Sequence, residues 1–481
     1  MFFILANLKS EFKFASHKNI SKIDHDFNYC MYMSKSVFFC SDCGNEFPKW
    51  VGQCSGCQAW NTIKEMKNVG APKAKNTEGP QSLSLLTTPE KDERMTSGIS
   101  EFDRVLGGGF LKDALILLTG DPGIGKSTLA LQAALSYSQK QKVLYISGEE
   151  SVSQISSRAF RISKKQSENG QLQVCPESNL ENILTLAHKE LPSLLIIDSI
   201  QTISSDNLPG VSGSVGQIRY CAEQIMHVIK KLQITCMLIG HVTKDGELSG
   251  PQTLAHLVDT VLYLEGDKYN QFRILRGQKN RFGTTDEIGV FEMKESGLQE
   301  ITNPSECFLE GKQKNAAGSV ILSTMEGSRP FLVELQALCA HSPFGYPKRT
   351  SSGMDINRVH IMLAVLQKHG GEKMESLDVF INIIGGLKIK EHAADLGLLV
   401  AIASSKRKWP IPDKLIILGE VGLSGEIRSI PFLEKRLKEA EKLGFTHAII
   451  PQTKEKLSSK IKTSAFSHIA DVLQYISKPT S

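Results

Sequence analysis

The sequence predicts an α/β protein organised around a parallel sheet. Apolar runs of strand length alternate with helix-forming segments, as parallel sheets require because crossover helices join their strands. One such run, 114–119, is followed directly by a glycine-rich turn and then by the helix-forming stretch 129–135. Another run, 194–199, ends in an acid and a serine. Because ligands of open α/β sheets bind at the carboxyl ends of the strands, a ligand site is expected at this edge.

The glycine-rich turn has the pattern of a phosphate-binding loop. It fits G-x-x-x-x-G-K-[ST] without a substitution. Its residues are Gly120, Asp121, Pro122, Gly123, Ile124, Gly125, Lys126, Ser127 and Thr128. Glycines let the backbone curl so that its N–H groups face a phosphate, and the following helix adds its positive dipole end. We therefore expect a nucleoside triphosphate, with Lys126 reaching the β- and γ-phosphates and Ser127 holding Mg²⁺.

Residues at the ends of other strands are candidates for catalysis. Asp198 is expected to hold Mg²⁺, because a carboxylate after four aliphatic residues is costly without a cation nearby. Glu149 is the candidate for orienting or deprotonating the attacking water, and Glu150 is its direct competitor. His241 ends another strand and either senses the γ-phosphate or is a satisfied structural histidine.

Two Gly/Ser-rich segments and one basic pair are candidates for coupling. The segments 206–216 and 244–251 leave the nucleotide edge of the sheet and either couple nucleotide state to a second ligand or are ordinary surface loops. Lys279 and Arg281 lie near the end of the predicted core. They could project across a subunit boundary to the γ-phosphate of a neighbour.

The N-terminal region carries a metal-binding pattern of two C-x-x-C pairs separated by ten residues. The four cysteines are Cys40, Cys43, Cys54 and Cys57. They predict a structural Zn²⁺ site, because a module of about 30 residues buries too little apolar surface to fold without the metal. A disulfide or a redox-active pair is the alternative. Trp50 and Trp60 could stack on nucleic acid, but tryptophans in so small a module more often complete its core.

Length and composition indicate a globular chain of several domains. At 481 residues it is too long for one core, and its 41% hydrophobic and 22% charged residues are ordinary values. No apolar run approaches the roughly 20 residues needed to span a membrane. The net charge of +5 permits nucleic-acid binding without arguing for it. The predicted divisions are an unstructured extension at 1–36, a zinc finger at 37–62, a linker at 63–93, an ATPase domain at 94–300 and a further domain at 301–481.

Together these motifs closely resemble one family. The four-cysteine motif, the loop GDPGIGKST, the run LLIIDSIQT and the block KNRFG occur in this order, and the resemblance covers residues 37–475. The block consists of Lys279, Asn280, Arg281, Phe282 and Gly283. The chain is similar to the bacterial RadA (Sms) family of RecA-like DNA repair proteins, for which this block is highly specific.

The resemblance implies a RecA-like ATPase core that uses ATP and Mg²⁺ and a zinc finger that holds Zn²⁺. It implies binding to single-stranded and branched DNA and branch migration during recombinational repair, in homo-hexameric rings. Lys279 and Arg281 would couple ATP turnover to DNA binding between subunits, and the two Gly/Ser-rich segments would face DNA. The implied partners are the RecA recombinase and other replication and recombination proteins, and the implied location is the cytoplasm, in association with the nucleoid.

From about residue 316 the chain resembles the proteolytic domain of Lon, an α+β domain. In the frame set by Gly419–Gly425, the Lon lysine falls at Glu434 and the Lon serine near Ala393, while Gly385–Lys388 only imitates the lysine segment. Ser–Lys hydrolysis needs a serine nucleophile and a lysine base, and neither is present at these positions. We therefore expect a non-proteolytic domain for oligomerisation and DNA contact. The alternative function for the whole chain is a nucleotide-switched DNA-binding scaffold that loads other recombination proteins without translocating.

Overall fold

The computed structural model describes residues 37–40, 46–47, 49–56, 58–66, 94–163, 171–241, 254–266, 272–342 and 345–477. The chain divides into two compact units, 1–81 and 82–481. The predicted extension 1–36 lies outside the described residues, as does the part of the predicted linker from 67 to 93.

The first unit contains a small antiparallel sheet. Its strands are β1 Val37–Cys40, β2 Glu46–Phe47 and β3 Ile63–Met66. They are ordered β2–β1–β3. Strand β3 occupies the first four residues of the predicted linker, because Ile63 pairs with Cys40 and buries its side chain in the same small core. The finger therefore extends four residues beyond its predicted end. Four residues are too few to show a strand period in the sequence.

The second unit begins with a nine-stranded sheet. Its strands are β4 Leu115–Gly120, β5 Val143–Ser147, β6 Leu172–Pro176, β7 Leu194–Asp198, β8 Thr235–Ile239, β9 Thr260–Glu265, β10 Phe272–Asn280, β11 Ile288–Lys294 and β12 Gly297–Glu300. The spatial order is β12–β11–β10–β9–β4–β8–β7–β5–β6. The strands from β9 to β6 are parallel, and β10 to β12 extend the sheet antiparallel.

Helices cover both faces of this sheet. They are α1 Ser100–Leu106, α2 Lys126–Tyr137, α3 Val152–Ser163, α4 Leu180–Glu190 and α5 Val215–Leu232. Alternate residues of β4 belong to different apolar clusters: Ile116 and Leu118 pack with α2, and Leu115 and Leu117 pack with α4 and α5. A parallel strand buried on both faces reads as a continuous apolar run. The predicted α/β fold with a phosphate-loop core is confirmed.

A mixed seven-stranded sheet follows. Its strands are β13 Ser319–Glu326, β14 Arg329–His341, β15 Arg349–Ser352, β16 Leu377–Ile383, β17 Leu415–Ile417, β20 His447–Pro451 and β21 Lys462–Phe466. Its order is β15–β16–β14–β13–β17–β20–β21, and a separate hairpin consists of β18 Glu420–Val421 and β19 Ile427–Arg428. The helices of this region are α6 Pro304–Leu309, α7 Ile356–His369, α8 Asp395–Arg407, α9 Leu433–Lys442 and α10 Ile469–Ser477.

One apolar core joins the two sheets. Ile288 and Val290 of β11, together with Ile301, belong to the same cluster as side chains of β13, β14, α7 and α8. The predicted boundary between 300 and 301 falls where the chain passes from one sheet to the next, but it does not interrupt the core. Within the described parts of the chain, every helix is too short or too polar to cross a lipid bilayer.

Candidate functional site

Glycines shape the loop between β4 and α2. Gly120 has φ of +146°, and a Cβ there would lie 2.2 Å from the carbonyl oxygen of Leu264, so a side chain is excluded. Gly123 has φ of +77°, and nothing lies within 4 Å of the position a Cβ would take. Arg273, a buried residue of β10, donates from Nε to the oxygen of Ile124 at 3.2 Å and fixes the loop from behind. The loop thus presents open main chain at Gly123, as a phosphate cradle requires.

Lys126 begins α2 and turns back into the loop. Its Nζ donates to the carbonyl oxygens of Gly120 at 2.8 Å and Asp121 at 2.9 Å. Burial lowers the pKa of Lys126 to about 8, and the negative charges of Asp198, Asp121 and Glu149 oppose this shift. The ammonium therefore lies in a place where it lacks water and where a phosphate oxygen would be a strong partner.

Ser127 and Asp198 meet at the rim of the loop. The Ser127 Oγ donates to Oδ1 of Asp198 at 3.2 Å, and the Tyr145 hydroxyl donates to Oδ2 at 2.6 Å. Burial, followed by the charge of Asp198, raises the pKa of Tyr145 well above its usual value, so the phenol remains a donor. Hydroxyl and carboxylate oxygens are the ligands that Mg²⁺ prefers, so Ser127 and Asp198 fit a Mg²⁺ site. The sequence interpretation missed Tyr145.

The structure brings Glu149, and not Glu150, to this site. Oε1 of Glu149 accepts a hydrogen bond from Ser199 Oγ at 2.7 Å and lies 3.8 Å from Nε2 of His241. Glu150 instead pairs with Arg158 on α3. Burial, and then the charge of the loop lysine, lower the pKa of His241, so its imidazole is neutral at pH 7. Glu149 is thus positioned by a buried serine, which no sequence motif had indicated.

Lys279 and Arg281 lie at the opposite end of the sheet from the phosphate loop of the same chain. Asn280 at the end of β10 pairs with Thr260, the first residue of β9, whereas the loop follows the strand end that pairs with Leu264. Strand β4 has six residues, so its ends are about 17 Å apart at roughly 3.3 Å per residue. The structure therefore does not bring the basic pair to its own nucleotide site.

Asp259 organises the edge that carries Arg281. Its Oδ1 pairs with Nη1 of Arg281 at 3.2 Å. Its Oδ2 accepts hydrogen bonds from the backbone N–H of Leu115 at 3.0 Å and from Nζ of Lys230 at 3.0 Å. Asp259 is nearly fully buried, whereas the Arg281 side chain is 54% exposed. Arg281 is thus anchored through Nη1, while about half of its side chain is exposed.

The rest of the basic block is held by backbone contacts. Nζ of Lys279 donates to the carbonyl oxygens of Ala255 at 2.6 Å and Val258 at 2.7 Å. Asn280 donates to the last carbonyl of α1 at 3.3 Å and accepts from the N–H of Phe282 at 3.0 Å. These bonds fix the turn after β10 against α1 and turn the Lys279 ammonium back onto the main chain, so Arg281 is the cation that projects from this edge.

Two of the four predicted zinc ligands lie in the described residues. Cys40 and Cys54 are fully buried, and the N–H of Gly56 points at Sγ of Cys54 at 3.4 Å. Buried sulfur atoms with backbone N–H donors fit thiolate ligands of a structural zinc site. Cys43 and Cys57 lie outside the described residues.

The tryptophans of the finger are not part of its core. Trp50 is 57% exposed and Trp60 is 68% exposed. The expectation that they complete the core is wrong, because the two cysteines and Ile63 already fill it together with smaller apolar side chains.

Of the two Gly/Ser-rich segments predicted to couple nucleotide state to a second ligand, the first lies within the described residues. The segment 206–216 is described, and the buried Gln217 holds its start by accepting from the N–H of Ser205 at 3.0 Å and donating to the oxygen of Leu208. The segment 244–251 lies outside the described residues. His241 is the last described residue before it.

The residues at the positions of the Lon serine and lysine are held by ordinary packing and polar contacts. Ala393 is buried in the turn before α8. Glu434 lies on α9, where it pairs with Lys438 at 2.8 Å and accepts from Ser458. Neither side chain is a nucleophile or an amine base.

Comparison with known proteins gives three matching domain families. The model described as an AAA domain matches residues 81–247, the rubredoxin metal binding domain matches 38–65, and the subunit ChlI of Mg-chelatase matches 355–454. Among solved structures, a KaiC-like protein from Pyrococcus horikoshii OT3 is similar at 21% identity and a TM-score of 0.37, covering 43% of this chain and 98% of that chain.

Full-length relatives are more informative. DNA repair protein RadA of Bacillus subtilis (strain 168) is 45% identical over 431 residues, 88% of this chain and 93% of the relative. RadA of Pseudomonas aeruginosa is 45% identical over 427 residues, 88% and 94% of the two chains. RadA of Escherichia coli (strain K12) is 43% identical over 428 residues, 87% and 92%. With this identity over nearly nine-tenths of its length, the chain belongs to the RadA family of DNA repair proteins.

Proposed function

We propose that this chain is an ATP hydrolase of DNA repair that forms rings on single-stranded DNA and drives branch migration of recombination intermediates. Its membership of the RadA family supports the role in repair. The placement of Lys126 and Arg281 at opposite ends of one sheet is the main support for a ring whose neighbouring subunits are coupled in ATP turnover.

The chemistry of the phosphate edge supports ATP hydrolysis. Lys126 would exchange its two carbonyl partners for oxygens of the β- and γ-phosphates. Ser127 and Asp198 would hold Mg²⁺, which supplies positive charge against the phosphates when bound. Glu149, oriented by Ser199, would position water for in-line attack on the γ-phosphate.

The distance between the two edges supports action of Arg281 on a neighbour. The ends of β4 are about 17 Å apart, and an extended arginine reaches about 7 Å from its Cα. Arg281 therefore falls short of its own phosphate loop, although its side chain is 54% exposed. In a ring with head-to-tail contacts, one edge of each subunit meets the opposite edge of the next. A basic edge would then complete the neighbour's site, as arginine fingers do in related phosphoryl transfer.

Cross-complementation tests this arrangement. Lys126→Ala removes the phosphate lysine and leaves the basic edge intact, and Arg281→Ala does the reverse. Each variant alone should lose ATP turnover, but an equal mixture should regain about a quarter of the wild-type rate, because a quarter of random head-to-tail interfaces combine two intact edges. Lys231→Ala, which removes another exposed cation from the last turn of α5, should keep full turnover. A mixture no more active than its separate components would refute action in trans.

The DNA part of the proposal has its own test. Single-stranded DNA should raise the ATPase rate, and a branched DNA substrate should be rearranged only when ATP is hydrolysed. Binding without ATP-dependent movement would favour the nucleotide-switched scaffold instead. Electron microscopy with an ATP analogue and single-stranded DNA should show rings of six subunits. Casein should remain intact, because Glu434 and Ala393 stand at the Lon-like positions.

The partners and the cellular location belong to the same proposal. We propose that the protein works in the cytoplasm at the nucleoid, beside the RecA recombinase and other replication and recombination proteins. Co-purification with RecA that requires DNA damage and survives nuclease treatment would support a direct contact.

A further inference from the structure

A cleft lies between α1, beside the nine-stranded sheet, and α9, beside the seven-stranded sheet. Its volume is about 560 Å³, which is within the range of about 300–1,000 Å³ that small-molecule sites occupy. Its walls come from five separate parts of the chain: α1, the residue before β11, the segment between β12 and α6, the turn between β13 and β14, and α9. The cleft is therefore built by both sheets and their connections.

Cations predominate in the walls of this cleft. Among the described residues that line it, five are lysine or arginine and two are glutamate. Lys435, Lys438 and Lys442 are three and four residues apart, so they share one face of α9. Arg104 and Arg329 add guanidinium groups from α1 and β14. Like charges at helical spacing repel one another, and an anion between them would remove this repulsion.

The two carboxylates of the cleft already have donors. Oε1 of Glu287 accepts a hydrogen bond from the hydroxyl of Ser328 at 2.6 Å. Oε1 of Glu439 accepts from the hydroxyl of Ser305 at 3.2 Å, and its Oε2 lies 3.5 Å from Nζ of Lys442. These contacts leave the other cations of the cleft without neutralisation by the carboxylates that line it.

The remaining lysines of α9 are weakly held. Lys438 pairs with Glu434 at 2.8 Å, but both side chains are exposed, and such pairs contribute little. Nζ of Lys435 lies 5.2 Å from the centroid of the Phe432 ring. Both ammonium groups can therefore turn to an anion in the cleft at small cost.

Arg329 is the fixed cation of the site. Its side chain is 15% exposed, and its Nη1 donates to both carboxylate oxygens of the buried Glu101, at 3.2 and 3.0 Å. Its Nη2 donates to the carbonyl oxygen of Thr302, which also lines the cleft. The site thus combines one rigid guanidinium with lysines that can adjust to a ligand.

The chemistry of the lining indicates a compact polyanion. Within the described lining, no side chain is aromatic, and Pro330 is the one side chain without a polar atom. Such walls offer little contact to a nucleobase or to an apolar ligand. Ammonium and guanidinium groups bind phosphate oxygens through charge-assisted hydrogen bonds. Walls from five parts of the chain suit a short ligand, whereas a nucleic-acid strand requires a groove that follows its backbone.

We propose that this cleft is a binding site for a small polyphosphate, a ligand with adjacent phosphate groups and no base. Lys435, Lys438 and Lys442 bind its oxygens from α9, and Arg104 binds them from α1. The site is distinct from the nucleotide site, because no residue of the phosphate loop lines it. The inference does not rest on the proposed function.

Calorimetric titration of the full chain with inorganic tripolyphosphate tests the inference. Lys126→Ala is used throughout without added Mg²⁺, so that the phosphate loop lacks its lysine and its metal. We expect saturable binding of tripolyphosphate. Adding Lys435→Ala and Lys438→Ala should lower the affinity at least about tenfold, because two charge-assisted hydrogen bonds are lost.

The matched control is Lys454→Ala with Lys456→Ala, which removes two exposed lysines that do not line the cleft. It should change the affinity by less than about twofold, because exposed charges distant from the ligand are screened. Both double variants keep the zinc finger, so any withdrawal of its metal by tripolyphosphate affects them equally. Arg104→Ala, which changes a different wall, should also weaken binding.

A single-stranded oligonucleotide serves as competitor in the same titration. We expect it to leave tripolyphosphate binding unchanged. If the oligonucleotide displaces tripolyphosphate, and the two substitutions on α9 weaken oligonucleotide binding equally, the cleft holds a nucleic-acid backbone and the inference is overturned. Absence of tripolyphosphate binding, or equal affinity in the two double variants, would overturn it as well.

Discussion

Arg436 on α9 is a fully buried guanidinium, and the effect of removing it can be worked out from its contacts. It pairs with both carboxylate oxygens of Glu391, at 2.8 and 2.6 Å. It also donates to the carbonyl oxygens of Ser323 at 2.6 Å and Pro431 at 3.1 Å. Glu391 retains one further donor, the N–H of Met325 at 2.8 Å. Arg436→Ala would therefore leave a carboxylate without its cation and two carbonyls without this donor.

The expected loss of stability follows from the burial of the pair. Breaking a buried ion pair by removing one partner costs roughly 3–5 kcal/mol. Because the Glu391 side chain is 23% exposed and water can reach it, we take the lower end, about 3 kcal/mol. Arg428→Ala is the matched control, since Arg428 pairs with Glu426 at the surface. Ion pairs at the surface contribute about 0–1 kcal/mol to the free energy of unfolding.

Calorimetric unfolding measures the difference. At roughly 2–4 °C per kcal/mol for a unit of about 150–250 residues, Arg436→Ala should lower the Tm of the transition that includes the seven-stranded sheet by about 6–12 °C. Arg428→Ala should lower it by less than about 2–4 °C. Changing Arg436 and Glu391 together to methionine should recover more than half of the loss, because no unpaired charge remains. Equal shifts for the two single variants would refute the reasoning.

Three further predictions concern the other sites. Because burial lowers the pKa of Lys126 to about 8 in the nucleotide-free protein and a bound triphosphate favours the charged amine, affinity for an ATP analogue should fall about tenfold per pH unit above about pH 8, with proton uptake on binding. Calorimetric titration in two buffers measures that uptake, and its absence at pH 9 would contradict the prediction. Ser199→Ala removes the donor to Glu149 and should lower kcat about tenfold with little change in the KM for ATP; steady-state kinetics would count against this role if only KM changed. Chelation should release one Zn²⁺ per chain and abolish amide protection in residues 37–66, whereas protection that survives metal removal would argue against a zinc-dependent fold.

The sequence predicts the phosphate edge well because its chemistry is local. The strand predicted at 114–119 is β4, and the run at 194–199 contains β7. The helix predicted at 129–135 is α2, which begins three residues earlier, at Lys126. Buried parallel strands are continuous apolar runs, and a glycine loop between strand and helix is a single unit of chain. Such features need no knowledge of distant contacts.

The features that the sequence did not predict depend on contacts between residues far apart in the chain. Glu149 and Glu150 are neighbours with the same chemistry, and they are separated only by their partners, Ser199 for the first and Arg158 for the second. Asp259 ends no long apolar run, and its importance appears only when the fold brings Leu115, Lys230 and Arg281 around it. Strand β10 was not predicted, because its residues are half-buried and include charged side chains, so it lacks a clear apolar period.

Asp259 also explains how the two edges of one subunit can be coupled. Its carboxylate holds the N–H of Leu115, the first residue of β4, and the guanidinium of Arg281. The other end of β4 is Gly120, where the phosphate loop begins. A buried strand hydrogen-bonded on both sides, to β8 and β9, is stiff, so a displacement at the loop is transmitted along it to Asp259. Nucleotide turnover in one subunit should therefore shift the arginine that the proposed ring presents to the next subunit. We accordingly expect the subunits to hydrolyse ATP sequentially rather than independently.

Asp259→Asn keeps the acceptor for Leu115 but weakens the ion pair to Arg281. It should reduce the dependence of turnover on neighbouring subunits more than it reduces nucleotide binding. Mixtures with Lys126→Ala subunits measure this dependence, and an unchanged mixing curve would contradict the role of Asp259.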